Sequence, residues 1–173
     1  MTALTRSQLV ENGRLHALRE AIVAQLAPHF ADVAIVSHPG KIDIADAVAR
    51  KTFVTPCVAI AVTRAKPEGR LSRADDVTAS VAAYVICDTL MIDGRMVYGD
   101  ELALAVCEAL LVALSDDGLT RWELQNIGPA EDAEGAPLFT VKNLTEGTVY
   151  YAGTWKQTLY SVASPSFDAE FAL

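Results

Sequence analysis

Apolar residues near the N-terminus recur with the period of a helix. Thr5 and Gln8 fit a capping box, in which each side chain accepts a hydrogen bond from the backbone N–H of the other residue. Four apolar residues follow at helical spacing: Leu15, Leu18, Ile22 and Leu26. The pattern predicts an amphipathic helix that is interrupted near Asn12-Gly13 and ends at about Ala27.

Four later segments have the composition of strands and are bounded by turn residues: 32–38, 56–63, 75–88 and 148–160. Residues 64–73, between the second and third of these, are charged and predict a turn that joins an antiparallel pair. Residues 121–129 and 138–144 are further strand candidates. Residues 42–50 fit a short helix capped by Asp43.

The stretch 148–160 is rich in aromatic residues. It has two possible interpretations, a strand of the sheet or a surface that stacks on nucleic-acid bases. Alternation places its residues on two faces, with Val149, Tyr151, Trp155 and Leu159 on one and Tyr150, Thr154, Lys156 and Thr158 on the other. Stacking on nucleic acid needs aromatic side chains flanked by basic ones, and Lys156 is the only basic residue here. We therefore expect a half-buried strand with Trp155 in the core and a second face that stays wet or meets another chain.

Residues 99–118 predict a second long helix, with Asp100 placed to cap it and Gly118 placed to end it. Within residues 102–114 the only charged side chain is Glu108. A helix that is apolar nearly all round lies centrally or is covered by another subunit. Together these elements predict an α/β fold of the α+β type, a mainly antiparallel sheet with two long helices packed on one face.

Length and charge restrict the function. With 173 residues the chain can bury a core of its own, and we place one domain at residues 1–161 and a tail at 162–173. The net charge of −8 repels phosphates, so sequence-specific nucleic-acid binding is not expected. The N-terminus has no signal-peptide pattern and no apolar run reaches membrane-spanning length, which predicts a protein that is made and stays in the cytoplasm without a membrane partner.

The remaining sequence features predict structure rather than chemistry. Cys57, Cys87 and Cys107 lie in apolar contexts without CxxC spacing, which is typical of buried reduced thiols. Residues 64–73 and 130–137 are rich in charge, Gly and Pro, and we expect them to be mobile in an isolated subunit.

Three groupings resemble functional sites but lack an essential part. Residues 94–100 have the glycine spacing of a phosphate loop but no lysine where that motif needs one. One possible metal cluster lacks a second His or Cys: His38, Asp43 and Asp46. His16 and Glu20, one helical turn apart, fit a surface pair. We therefore predict no catalytic, cofactor-binding or metal-binding residue and no enzymatic activity.

The order of the elements resembles a family of neck or tail-terminator proteins of Mu-like contractile-tailed phages and prophages. The resemblance covers about residues 13–161 and rests on "IDIADAVARKTFVTPCVAIAV", "YVICDT", "ALAVCEALLVAL" and "NLTEGTVYYAGTWKQTL". The last run is the most specific, since members pair Asn-Leu with a following Gly and a final strand that ends in Trp-x-Gln. Here these are Asn143-Leu144, Gly147 and residues 155–157, with Thr145 where members often carry an aromatic residue.

The resemblance implies a structural protein of the virion tail or neck that is made in the host bacterial cytoplasm. It implies a ring, a hexamer on the virion, that caps the tail tube and sheath and meets the head connector protein. Two other hypotheses stay open: a different connector or tail-assembly component of the same fold, and a small enzyme or ligand-binding domain with a pocket between helices and sheet.

Overall fold

The computed structural model describes residues 3–43, 53–68, 75–138 and 147–162. Its helices are α1 (Arg6–Glu11), α2 (Arg14–Leu26) and α3 (Gly99–Leu114), with short 3-10 turns at Ala27–His29 and Leu119–Arg121. Its strands are β1 (Ala34–Ser37), β2 (Cys57–Pro67), β3 (Val77–Asp88), β4 (Leu90–Ile92), β5 (Arg95–Val97), β6 (Glu131–Pro137) and β7 (Thr148–Leu159).

Among the described residues, the main sheet has five strands in the order β1-β2-β3-β7-β6. β1 runs parallel to β2, and the other neighbours are antiparallel. β4 and β5 form a separate hairpin between β3 and α3. The prediction of an α+β fold with a mainly antiparallel sheet is confirmed.

Both long helices pack on the same face of this sheet. Leu18, Ile22 and Leu26 of α2 are fully buried, and so is Leu110 of α3. They share one apolar core with alternate strand residues such as Val58, Ile60, Val81, Val85, Val149 and Trp155. The predicted core position of Trp155 is therefore confirmed, and its exposed fraction is 2%.

The other face of the sheet is divided between a covered half and an accessible half. Tyr150, predicted on the face that stays wet, is buried with Ile86 and Cys57 against Phe53 and other apolar side chains. That part of the prediction is wrong, because segments before β2 and after β6 supply an apolar cover within the chain. The same face stays accessible around Lys156, which is exposed.

The helix ends differ in part from their prediction. Thr5 and Gln8 form the predicted capping box, and the chain breaks at Asn12-Gly13 as expected. The predicted cap at Asp100 is wrong, because Tyr98 occupies that position and the Gly99 N–H donates to the Thr89 hydroxyl.

The predicted end of the same helix at Gly118 is also wrong. Helix α3 ends at Leu114, and the Asp116 carboxylate accepts from the backbone N–H groups of Gly118 and Leu119. A short side chain that bonds to nearby N–H groups stabilises a turn in place of another helical turn.

The first part of one predicted turn and most of a segment predicted to be mobile form strands, and one predicted strand is a loop. Residues 64–67 continue β2, and residues 131–137 form the edge strand β6. Residues 121–129 do not form a strand, because Trp122, Glu123 and Asn126 have positive φ angles that break an extended chain. The predicted helix at 42–50, the strand candidate at 138–144 and the tail at 162–173 lie mostly outside the described residues.

Candidate interaction surface

The Trp-x-Gln run at the end of β7 forms a buried hydrogen-bond network. The Gln157 side-chain oxygen accepts from the indole N–H groups of Trp122 and Trp155, at 2.9 and 3.1 Å. Its amide nitrogen donates to the carbonyl oxygens of Thr120 and Gly128. The amide thereby uses two donors and two acceptor sites, its full hydrogen-bonding capacity. Trp155 and Gln157 therefore stabilise the core and are not accessible to a ligand.

The β4–β5 hairpin presents an apolar surface to solvent. Its turn is Asp93-Gly94, both with positive φ, which is the geometry of a two-residue hairpin. Met91 and Met96 face each other across the two strands and are 61% and 55% exposed. Tyr98, two residues after Met96, is also 61% exposed. We name Met91, Met96 and Tyr98 the hairpin patch.

Helix α3 has a second exposed apolar surface opposite its buried face. Leu104 is 52% and Val112 65% exposed, and exposed Ala105, Glu108 and Ala109 lie between them on the same side of the helix. We name these five residues the helix stripe. Helix α3 has three acidic residues and no Lys or Arg. Glu108 is the charged member of the stripe, which therefore fits a partner surface that combines apolar side chains with a basic one.

An ion pair joins the hairpin to the helix. The Arg95 guanidinium contacts the Glu101 carboxylate in the first turn of α3. Both side chains are largely exposed, so the pair adds little to stability. β5 ends at Val97 and α3 begins at Gly99, so this short connection keeps the hairpin patch in the region of the helix N-terminus.

Helix α1 is a third exposed apolar element, at the other end of the sheet. It has no buried residue, and Leu9 and Val10 are 57% and 73% exposed. The next helix, α2, begins at Arg14. The Arg14 guanidinium donates to the backbone carbonyl oxygens of Tyr160 at 2.9 Å and Gln125 at 2.5 Å. The base of α2 is therefore fixed, while α1 precedes it with no apolar cover from the described residues.

A polar cavity of about 580 Å³ opens on the accessible half of the sheet, beside β6. Its lining includes Thr63, Thr154, Lys156 and Asp132. The Lys156 ammonium lies 2.6 Å from an Asp132 carboxylate oxygen, and this hydrogen bond lowers the pKa of Asp132 and raises that of Lys156. Both side chains are exposed, so the pair neutralises local charge without forming a buried charged site.

The groupings rejected from the sequence have ordinary structural positions. Residues 94–100 run from the hairpin turn into α3. The His38 Nδ1 atom lies 2.6 Å from the backbone carbonyl oxygen of Gly40, two residues later. The His38 ring contacts the rings of Phe53 and Tyr84. His16 and Glu20 form a surface pair at 3.8 Å. Within the described residues, no group of three His, Cys, Asp or Glu side chains is placed to hold a metal ion.

The three cysteines are buried and unpaired, as predicted. Burial raises the pKa of Cys57 to about 11 and that of Cys87 to about 12, and it also raises the pKa of Cys107. A thiol that stays protonated at neutral pH is a poor nucleophile. These side chains therefore act as small core residues.

The hairpin patch is the feature that the sequence interpretation missed. The run "LMIDGRMVY" places an Asp-Gly pair between two apolar segments, which is a strong hairpin signal. The sequence analysis considered only residues 94–100 of this run, as an incomplete phosphate loop.

Comparison with protein-family models and with curated proteins gives no match to this chain. No helix in the part of the chain that the structure describes is long and apolar enough to cross a membrane.

Proposed function

We propose that this chain is a structural protein of a contractile phage tail, a tail terminator. Copies of it form a ring that caps the tail tube and sheath and meets the head connector protein. The resemblance of residues 13–161 to the Mu-like neck and terminator family supplies the role. The exposed helix stripe is the structural observation that best supports it, because a ring subunit needs a surface that remains apolar until assembly.

The stripe differs from the single exposed apolar residues found on most proteins. Its members follow one side of α3 over residues 104–112, with two alanines that allow close approach of a partner. Burial of apolar surface contributes about 25 cal/mol per Å² to association, before the entropic cost is subtracted. A second copy, a tube protein or a connector can each cover this stripe.

The alternative is another connector or tail-assembly component with the same fold. Within the part of the chain that the structure describes, no observation supports the third hypothesis, a ligand pocket between helices and sheet. The described residues in that space are packed core side chains such as Leu110, Trp122 and Trp155. The cavity near Lys156 lies on the opposite face.

Electron microscopy of tails made without this gene tests the proposal. Tails of uncontrolled length are the expected result. Tails of normal length that do not join heads would instead indicate the connector role, and normal infectious particles would refute both roles.

Complementation in the same system tests the helix stripe. Val112→Glu is expected to fail to restore normal tails, because a charge replaces an apolar contact in the subunit interface. Val54→Glu is the matched control, since Val54 is 86% exposed and lies outside the stripe. Equal complementation by the two variants would exclude the stripe from assembly.

A further inference from the structure

We propose that α1 is an assembly arm, which packs on the helix stripe of a second copy of this chain. This inference rests on the proposed self-association and specifies the two surfaces that meet. They differ from each other and belong to different parts of the fold, α1 at one end of the sheet and α3 across it. Such a contact is heterologous, the type that generates a ring when its rotation closes.

Helix α1 requires a covering surface. It has six residues, and isolated helices shorter than about 12 residues are marginal in water. Its capping box stabilises the first turn, but none of its side chains is buried against the body of the protein. Packing on another surface would supply the stabilisation that its own length does not provide.

The exposed side chains of α1 match the stripe in charge and in spacing. Arg6, Leu9 and Val10 follow the i, i+3, i+4 rule and lie on one face of α1. On the stripe, Glu108 lies one helical turn from both Leu104 and Val112. An Arg6–Glu108 ion pair and an apolar contact one turn away therefore form together.

The charge pattern favours packing of α1 from one copy on the helix stripe of another over packing of two α3 helices against each other. Two helix stripes packed against each other would bring two Glu108 side chains together, with no basic residue on either stripe. The arm instead brings Arg6 to Glu108. Among the described residues, neither of these two side chains has an ion-pair partner within its own chain.

Disulfide cross-linking of the full-length protein tests the contact directly. The variant Leu9→Cys/Leu104→Cys places one new thiol on the arm and one on the stripe. Both sites are exposed, whereas the native thiols are buried with raised pKa values and should not react at pH 8. Mild oxidation at high protein concentration is expected to give a ladder of inter-chain products. Glu11→Cys/Leu104→Cys, with its thiol on the other face of α1, should give little.

Charge exchange tests the pairing independently. Arg6→Glu and Glu108→Arg, each added to the cross-linking variant, should lower the yield roughly three- to tenfold, the size expected when an exposed ion pair is replaced by like charges. An equal mixture of the two should restore it, because each arm then meets an oppositely charged stripe. Circular dichroism confirms that every variant is folded.

The outcomes separate this inference from the proposed function. No ladder, an intra-chain product alone, or equal ladders from the control would overturn the arm contact. If Val112→Glu still failed to complement tail assembly, the stripe would remain an assembly surface with another partner. If Val112→Glu complemented fully, while the ladder and its charge rescue were obtained, the arm contact would stand and the role of the stripe in tail assembly would fail.

Discussion

At the scale of single residues, Gln157 is a buried polar side chain whose hydrogen bonds are all made inside the protein. It is 1% exposed and bonds to two indole N–H groups and two backbone carbonyls. Alternation along β7 places residue 157 on the same face as Trp155, which would normally favour an apolar residue. Its partner Trp122 lies 35 positions earlier in an irregular segment. The sequence pattern therefore predicted the buried tryptophan but not the amide that it bonds.

Replacing Gln157 with Leu should destabilise the protein strongly. The substitution conserves approximate volume but leaves buried donors and acceptors without partners, each of which costs about 1–3 kcal/mol. We expect a loss of about 3 kcal/mol or more in the free energy of unfolding measured with urea. The control Gln125→Leu, at an exposed position, should change it by less than about 0.5 kcal/mol. Equal effects from both variants would contradict the network.

At the scale of elements, the sequence predicted the long segments with a buried face, and α1 through its capping box, but it missed the exposed strand β6. β3, β7 and the two long helices have strong periodicity because each packs on the common core. β6 has no such periodicity, since all seven of its residues are exposed and, among the described strands, it pairs with β7 alone. Its charged residues suit an edge strand, where they discourage pairing with other chains, so composition indicated a loop.

The contact between β6 and α3 gives a prediction for Gly135. A Cβ atom at this position would lie 2.6 Å from the Cys107 sulfur, which is closer than atoms can approach. Gly135→Ala should therefore lower stability by about 1–3 kcal/mol, as overpacking does. Gly40→Ala is the control, because a Cβ there has no neighbour within 4 Å.

Cys107→Ala removes the atom that clashes. In that background the additional cost of Gly135→Ala should be smaller, a coupling that a double-mutant cycle in urea measures. Additive effects of the two substitutions would mean that β6 and α3 do not make this contact.

At the scale of the whole molecule, the helices and the acidic residues of β6 lie on different parts of the sheet. The helices cover one face of the sheet, and the acidic strand β6 forms one edge of it with Glu131, Asp132 and Glu134. The sequence gives the net charge but not this distribution, because residues far apart along the chain meet at each surface.

In the proposed ring, DNA passes through the lumen during ejection, and clustered Lys or Arg there would bind its phosphates and slow passage. We therefore predict that the β6 edge faces the lumen, since its strand carries three acidic residues and no basic one. Glu131→Lys/Glu134→Lys should slow DNA ejection, more so at low salt, because the effect is electrostatic. Asp32→Lys/Asp117→Lys, with the same change in net charge at exposed sites elsewhere, should not. A reconstruction of the neck with Lys and Arg lining the lumen, or with β6 on the outside of the ring, would refute this placement.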